Sequence, residues 1–189
     1  MIIRLASRVV RRILRVAVGL LIVGAVLVWV GARVWPGSPV PTGTPGPAST
    51  AVVVRILDGD TLDVRVGGVV QRVRVLGIDA PETAHDGTPA QCGAVDATVA
   101  LAGLVPAGTP VTLVQDPRSD PADVYGRWLR YVEVAGTDVG AELVHQGLAE
   151  AWYPAGEPVP ARYPGYLVTT TTARVTGTGS WGVCGTVGR

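Results

Sequence analysis

The feature that most constrains the fold begins at residue 51: short β-branched runs, cut by turn signals, follow one another with almost no spacing. Residues 51–57 and 61–66 are divided by Asp58-Gly59-Asp60, and Gly67-Gly68 is a hairpin signal ahead of residues 69–76. Residues 90–104 then have a helical composition that closes at Pro106. Residues 111–114 and 129–134 read as two more strands, and residues 141–152 as a second helix. Thr169 to Thr172 argue against a third helix near residues 161–175, because β-branched residues have low helix propensity. Five strands with two to three packed helices predict an α+β, mainly β fold, a small closed barrel of the oligonucleotide/oligosaccharide-binding (OB) type.

Charge divides the chain differently. Six of the sixteen cations, all arginines, fall at Arg4, Arg8, Arg11, Arg12, Arg15 and Arg33, whereas all fifteen acids lie beyond residue 57. From Ala51 onward the ten arginines and fifteen acids leave −5, so the formal +1 conceals a basic leader and an acidic domain. An acidic domain is a poor non-specific polyanion binder but suits a hard cation held by carboxylates.

Val16 to Ala32 carries no charge and is just long enough to cross a bilayer core. Five arginines precede it, which places the N-terminus in the cytoplasm. Residues 1–15 thus read as a basic cytoplasmic leader, 16–35 as a transmembrane anchor or signal segment, 36–50 as a Pro/Gly/Ser/Thr-rich tether, and 51–189 as the folded domain. Two outcomes stay open: a membrane-anchored protein with its domain outside, or secretion after cleavage near Ala32, where Val30-Gly31-Ala32 matches a small-x-small site. Beyond an export segment, Cys92 and Cys184 are expected to pair, tying the first helix to the C-terminal tail.

Three clusters carry the chemistry: Leu57-Asp58-Gly59-Asp60-Thr61, the stretch from Arg72 to Thr83, and Asp123-Val124-Tyr125-Gly126-Arg127. The first two supply four carboxylates, Asp58, Asp60, Asp79 and Glu82, at strand ends and turns. Calcium takes several oxygen ligands, and arginine fits phosphate through a planar fork. Acids for a cation beside arginines for a phosphate suit phosphodiester cleavage, where charge grows at phosphorus.

Together these clusters resemble the signature of the staphylococcal nuclease-like (thermonuclease) family: a strand ending in DGDT, a strand running into R-x-x-G-I-D-A-P-E-T, and D-x-Y-G-R before a further strand. Gln91-Cys92, Asp138-Val139, Gln146-Gly147-Leu148-Ala149 and Gly179-x-Trp181-x-x-Cys184 add to the likeness, which covers residues 54–184. The resemblance implies a phosphodiester hydrolase acting on DNA with little sequence preference, RNA being left open as a second substrate. It implies Ca2+ held by Asp60, Asp79 and the Ala80 backbone carbonyl. Glu82 resembles the acid that activates or positions the attacking water. Arg74 and Arg127 resemble the phosphate-binding arginines, and Tyr125 and Tyr153 the tyrosines of the nucleotide pocket. Asp58 and Asp123 are expected to shape the pocket. Val124 stands where relatives have lysine, Ala155 where a second pocket tyrosine would fall, and Gly140 where asparagine is frequent. The implied partners are nucleic acid and, through the leader, the membrane; the domain is expected to be monomeric, with no obligate protein partner. A weak or inactive OB-type binding module is the alternative.

Overall fold

The computed structural model describes residues 47–188; the leader, the apolar segment and most of the tether lie outside the described residues. Eight strands are described: β1 (Ala48–Ile56), β2 (Thr61–Val66), β3 (Val69–Val75), β4 (Ile78–Asp79), β5 (Pro110–Val114), β6 (Trp128–Val134), β7 (Thr137–Asp138) and β8 (Glu150–Ala151). Four helices accompany them: α1 (Ala94–Leu104), α2 (Val139–His145), α3 (Tyr163–Thr176) and α4 (Ser180–Cys184). None of these helices is long and apolar enough to cross a membrane.

The β1–β2–β3 meander pairs antiparallel as its turn signals require. β5 then pairs with β1, and β6 with β5. A parallel pairing of β3 with β6, Val73 opposite Trp128 and Val75 opposite Arg130, joins the two ends. Five strands thereby close into a barrel with the expected OB-type order. Alternation along β2 and β3 decides what faces inward: Leu62, Val64, Val73 and Val75 are fully buried, with Leu113 and Val132 meeting them from β5 and β6.

β1 begins at Ala48, earlier than the expected 51, because Ala48, Ser49 and Thr50 pair with Val114, Leu113 and Thr112. The first helix begins at Ala94 rather than 90, since Gly93 at φ 87° breaks the helical path before it. The expected helix over 141–152 is shifted and shorter. Asp138 caps α2, its side chain accepting from the Ala141 amide, and Gly147 at φ 67° ends the helical run. A side chain at Gly147 would also strike the Thr178 carbonyl, 2.1 Å from an ideal Cβ. The chain beyond turns into β8, which pairs with β4.

Contrary to the argument from Thr169–Thr172, the segment is helical. Thr169, Thr171 and Thr172 each bond back through Oγ1 to a carbonyl four residues earlier, so their hydroxyls are satisfied within the helix. Tyr166, Thr170 and Ala173 form the buried face, and Thr170 Oγ1 accepts from the Ala151 amide at 2.8 Å. Tertiary packing overrides a weak local propensity.

Cys92 and Cys184 form the expected disulfide. It joins the segment leading into α1 to the end of α4. Beyond it, Val187 is buried with Trp181 and Ala173.

Candidate active site

The barrel's closure brings together side chains from well-separated stretches. Arg74 projects from β3, Asp79 from β4 and Glu82 from the following loop. Tyr125 and Arg127 come from the β5–β6 connection, and Tyr153 follows β8. All six line one cleft of about 440 Å³. Asp123 lines it too, whereas Asp60 is buried beside it, 1% exposed.

The β1–β2 turn sets Asp60. Asp58 Oδ1 accepts from the Asp60 amide at 3.0 Å, and Gly59 permits the turn to approach its neighbours. An ideal Cβ on Gly59 would lie 2.6 Å from Ala97 Cβ and 2.7 Å from Ala80 Cβ. Asp60 Oδ2 accepts from the Ala80 amide at 2.8 Å, drawing the two implied metal-binding positions together.

Arg74 lies between the acids. Its Nη1 is 2.6 Å from Asp60 Oδ2, its Nη2 donates to Asp79 Oδ1 at 2.7 Å, and Nη1 also donates to the Ile78 carbonyl at 2.9 Å. Burial pushes the Asp60 carboxyl up to about 7; Arg74 opposes this, while Asp58 and Asp79 add to it. The same pressure, burial first and Asp58 next, raises Glu82. Among the described residues no three acidic, histidine or cysteine side chains form a metal-ready group. The two aspartates nevertheless share one guanidinium, so two carboxyl groups face a single cation at the site. Hard oxygen donors short of positive charge fit a calcium ion better than a soft metal.

Glu82 is held by its backbone. Its amide donates to Gln91 Oε1 at 2.8 Å, and the Gln91 amide donates to the Glu82 carbonyl at 2.9 Å. Gln91 precedes the disulfide cysteine, so the bridge and the Glu82 loop are mechanically linked. The tail returns to the site as well: Gly188 packs so closely on Asp79 that an ideal Cβ would lie 2.7 Å from Oδ2. Gln91 is legible in the sequence only as part of the Gln91-Cys92 match, with no role attached, and the returning tail has no local sequence signature.

Asp123 organises the third cluster. It accepts from the Tyr125 and Arg127 amides at 3.0 and 2.9 Å, and Arg127 Nε donates to its Oδ2 at 2.6 Å. Burial alone would raise the Asp123 carboxyl; these hydrogen bonds outweigh it and hold it below its ordinary value. Tyr125 is exposed, with the Arg127 guanidinium 5.6 Å from its ring centre. Val124, at the lysine position of relatives, is 94% exposed, so it offers neither charge nor packing. Gly140 packs tightly: a Cβ there would meet Val75 and the Tyr166 hydroxyl.

The structure also brings in residues without a predicted role. Trp152 lines the cleft beside Tyr153, and Asp120 and Glu157 make its rim acidic. Behind the cleft, Arg162 pairs with Asp138 at 2.6 Å and with Glu133, its guanidinium 4.3 Å from the Tyr131 ring centre. Tyr131 donates to Asp116 at 2.6 Å, fixing the start of the loop that carries Arg127. His85 is exposed outside the cleft, with Nδ1 3.0 Å from the Thr83 carbonyl oxygen.

Residues 72–182 match the family model described as Staphylococcal nuclease homologue. The chain is 35% identical over 108 residues to the thermonuclease of Staphylococcus intermedius, covering 56% of this chain and 62% of that protein. It is 38% identical over 99 residues to the SPbeta prophage-derived endonuclease YokF of Bacillus subtilis, covering 52% and 33%. It is 36% identical over 99 residues to endonuclease YncB of the same organism, covering 52% and 46%. The aligned part thus spans less than two-thirds of each relative's length.

Proposed function

The chain belongs to the staphylococcal nuclease homologue family, and on that premise we propose that it is a calcium-dependent nuclease hydrolysing phosphodiester bonds of DNA with little sequence preference, RNA being the second substrate to test. The observation that carries this reading is the convergence of Arg74, Asp79, Glu82, Tyr125, Arg127 and Tyr153 on one cleft. Asp60, Asp79 and the Ala80 carbonyl would hold calcium, which when bound supplies positive charge for the phosphate oxygens. Arg127, half-buried and free to exchange its Asp123 partner for a phosphate, clamps the scissile group. Arg74 adds a second guanidinium behind it. Glu82 takes the proton of the attacking water or orients it; its carboxyl, raised by burial, is a stronger proton acceptor than an ordinary carboxylate. Tyr125 and Tyr153 flank the nucleotide. Asp58 and Asp123 shape the site through the turns they brace.

The domain's place is proposed to be extracytoplasmic, held by the apolar segment or released by cleavage near Ala32. The arginine-flanked run and the disulfide, a bond that persists in oxidising compartments, support this. A monomeric domain acting without an obligate protein partner accompanies this reading.

The test is cleavage of single- and double-stranded DNA and RNA by the full chain, with calcium and with a chelator. Chelation is expected to abolish cleavage, and Arg127→Ala or Glu82→Gln to lower kcat by about 10²–10³. Full activity in chelator defeats the metal role. Binding without turnover under all conditions would favour the non-catalytic OB module, which the −5 charge and Val124 make the second reading.

A further inference from the structure

A second cleft of about 430 Å³ opens on the far side of Tyr125 and Arg127. Those two residues line both clefts, so it continues the first. Its remaining walls are Asp63, Val70, Arg72 and Gly126. Gln71 Nε2 donates to the Gly126 carbonyl at 3.3 Å and fastens the Tyr125 loop to β3 along this edge.

Register explains how the cleft leads away from the site. Thr61 pairs with Arg74, Asp63 with Arg72, and Arg65 with Val70. Alternation therefore puts Arg74, Arg72 and Val70 on one face of β3, successive members about 6.8 Å apart. On the neighbouring strands Arg55 pairs with Asp63, and Val52 with Arg65. Asp63 receives Arg72 Nε at 2.9 Å and Arg55 Nε at 2.8 Å, which fixes both guanidinium planes while leaving their outer edges in water. Hydrogen bonds from Arg72, then Arg55, hold the Asp63 carboxyl below its ordinary value. Arg65 is exposed and makes no ion pair among the described residues. Arg55, Arg65 and Arg72 against Asp63, with Asp58 also within electrostatic reach of Arg72, leave this face net positive by one, in a domain whose total is −5. Exposed Val52 and Val70 add apolar surface, and Tyr125, 82% exposed, stands at the junction of the two clefts.

We infer that this face is a polynucleotide track: a single-stranded chain held at the catalytic cleft continues past Tyr125, places its next phosphates against Arg72 and then Arg65, and rests bases on Tyr125 and Val70. The inference rests on the nuclease reading for its starting point. Its physical basis is phosphate neutralisation by forked guanidiniums and base stacking on an exposed ring. It also accounts for how an acidic domain without the lysine at Val124 grips a polyanion: the positive charge is concentrated on one strip.

The experiment compares a dinucleotide with single-stranded DNA of about twelve nucleotides, within the span that OB-type barrels hold. Both are offered to the full chain with calcium. The ratio of kcat/KM values, twelve-mer over dinucleotide, is expected to exceed one. It should fall by about 5–10-fold in Arg72→Ala and about 2–3-fold in Arg65→Ala, through KM. The slope of log affinity against log salt for the twelve-mer should shrink by about 0.7 per arginine removed. Arg65→Ala removes no hydrogen bond or ion pair among the described residues, so it keeps the test valid should Arg72→Ala disturb the barrel. Fluorescence anisotropy of a labelled twelve-mer in chelator reads the track without turnover. A chain that cleaves nothing yet loses twelve-mer binding on Arg72→Ala refutes the nuclease and keeps the track. A wild-type ratio near one, or a ratio and salt slope that neither substitution moves, overturns the track.

Discussion

Opening the Cys92–Cys184 bridge should cost this domain a large share of its stability. The bonded residues are 92 apart in sequence, so the bridge closes most of the described domain into one loop. In the chain-entropy model that loop contributes about 4.6 kcal/mol at 25 °C by restricting the unfolded chain. Domains of this size lose about 2–4 °C of Tm per kcal/mol, which converts the figure to a drop of about 9–18 °C. The measurement is urea and thermal unfolding of the oxidised protein, the reduced protein and Cys92→Ser/Cys184→Ser. Cys92 is exposed, so a mild reductant has access. Because the model assigns the effect to the unfolded ensemble, near-UV circular dichroism of the folded state should change little at 25 °C. A difference below about 1 kcal/mol would refute the argument and mean that the reduced chain keeps structure when unfolded. A large loss of near-UV signal would instead make the bridge a native-state brace for the Gln91–Glu82 clamp and the tail on Asp79.

Other consequences can be measured on the same material. Arg162→Ala strands Asp138 and Glu133 beside Tyr131 and should destabilise by about 3–5 kcal/mol in urea, whereas a single exposed arginine such as Arg65 should move stability by less than about 0.5 kcal/mol. Gly59→Val should destabilise by about 1–3 kcal/mol, since its Cβ must displace Ala97 and Ala80; an unchanged Tm would contradict that packing. Asp60 has a folded value pushed up to about 7 from 3.8, so the folded state holds its proton longer than the unfolded chain. Without calcium, this group makes Tm fall as pH rises from about 4 to 7, and added calcium should remove the fall; a flat chelated profile across that window would count against it. Asp63 and Asp123 have lowered values and act oppositely: the stability they add above pH 4 is lost on further acidification.

The acidic net charge and the proposed substrate conflict only while charge is treated as a total. Arg74 is consumed by Asp60 and Asp79, and Arg127 is held by Asp123. The guanidinium edges left for phosphate lie chiefly on the β2–β3 face. A bound divalent cation would offset the Asp60–Asp79 pair and release Arg74 for other contacts.

Local pattern alone determined much of this protein. Turn signals at Asp58-Gly59-Asp60 and Gly67-Gly68 fixed the meander, because a tight turn between β-branched runs permits only adjacent antiparallel pairing. The resemblance of the three clusters to the family signature pointed to Asp60, Asp79, Glu82, Arg74 and Arg127 together, and the cysteine pair pointed to its bridge. What needed the tertiary structure was every feature that joins distant stretches. Thr169–Thr172 are poor helix formers in isolation, yet α3 forms because its buried face packs on the barrel and its hydroxyls bond back to the helix. Asp60 and Asp79 look alike as acids in turns; the fold buries both, and only the second lines the cleft. Arg74 reads as a free phosphate ligand until barrel closure sets two carboxylates against it. The returning tail at Asp79, the Gln91 clamp and the second cleft at Arg72 arise from long-range packing, which depends on which faces meet rather than on neighbours along the chain.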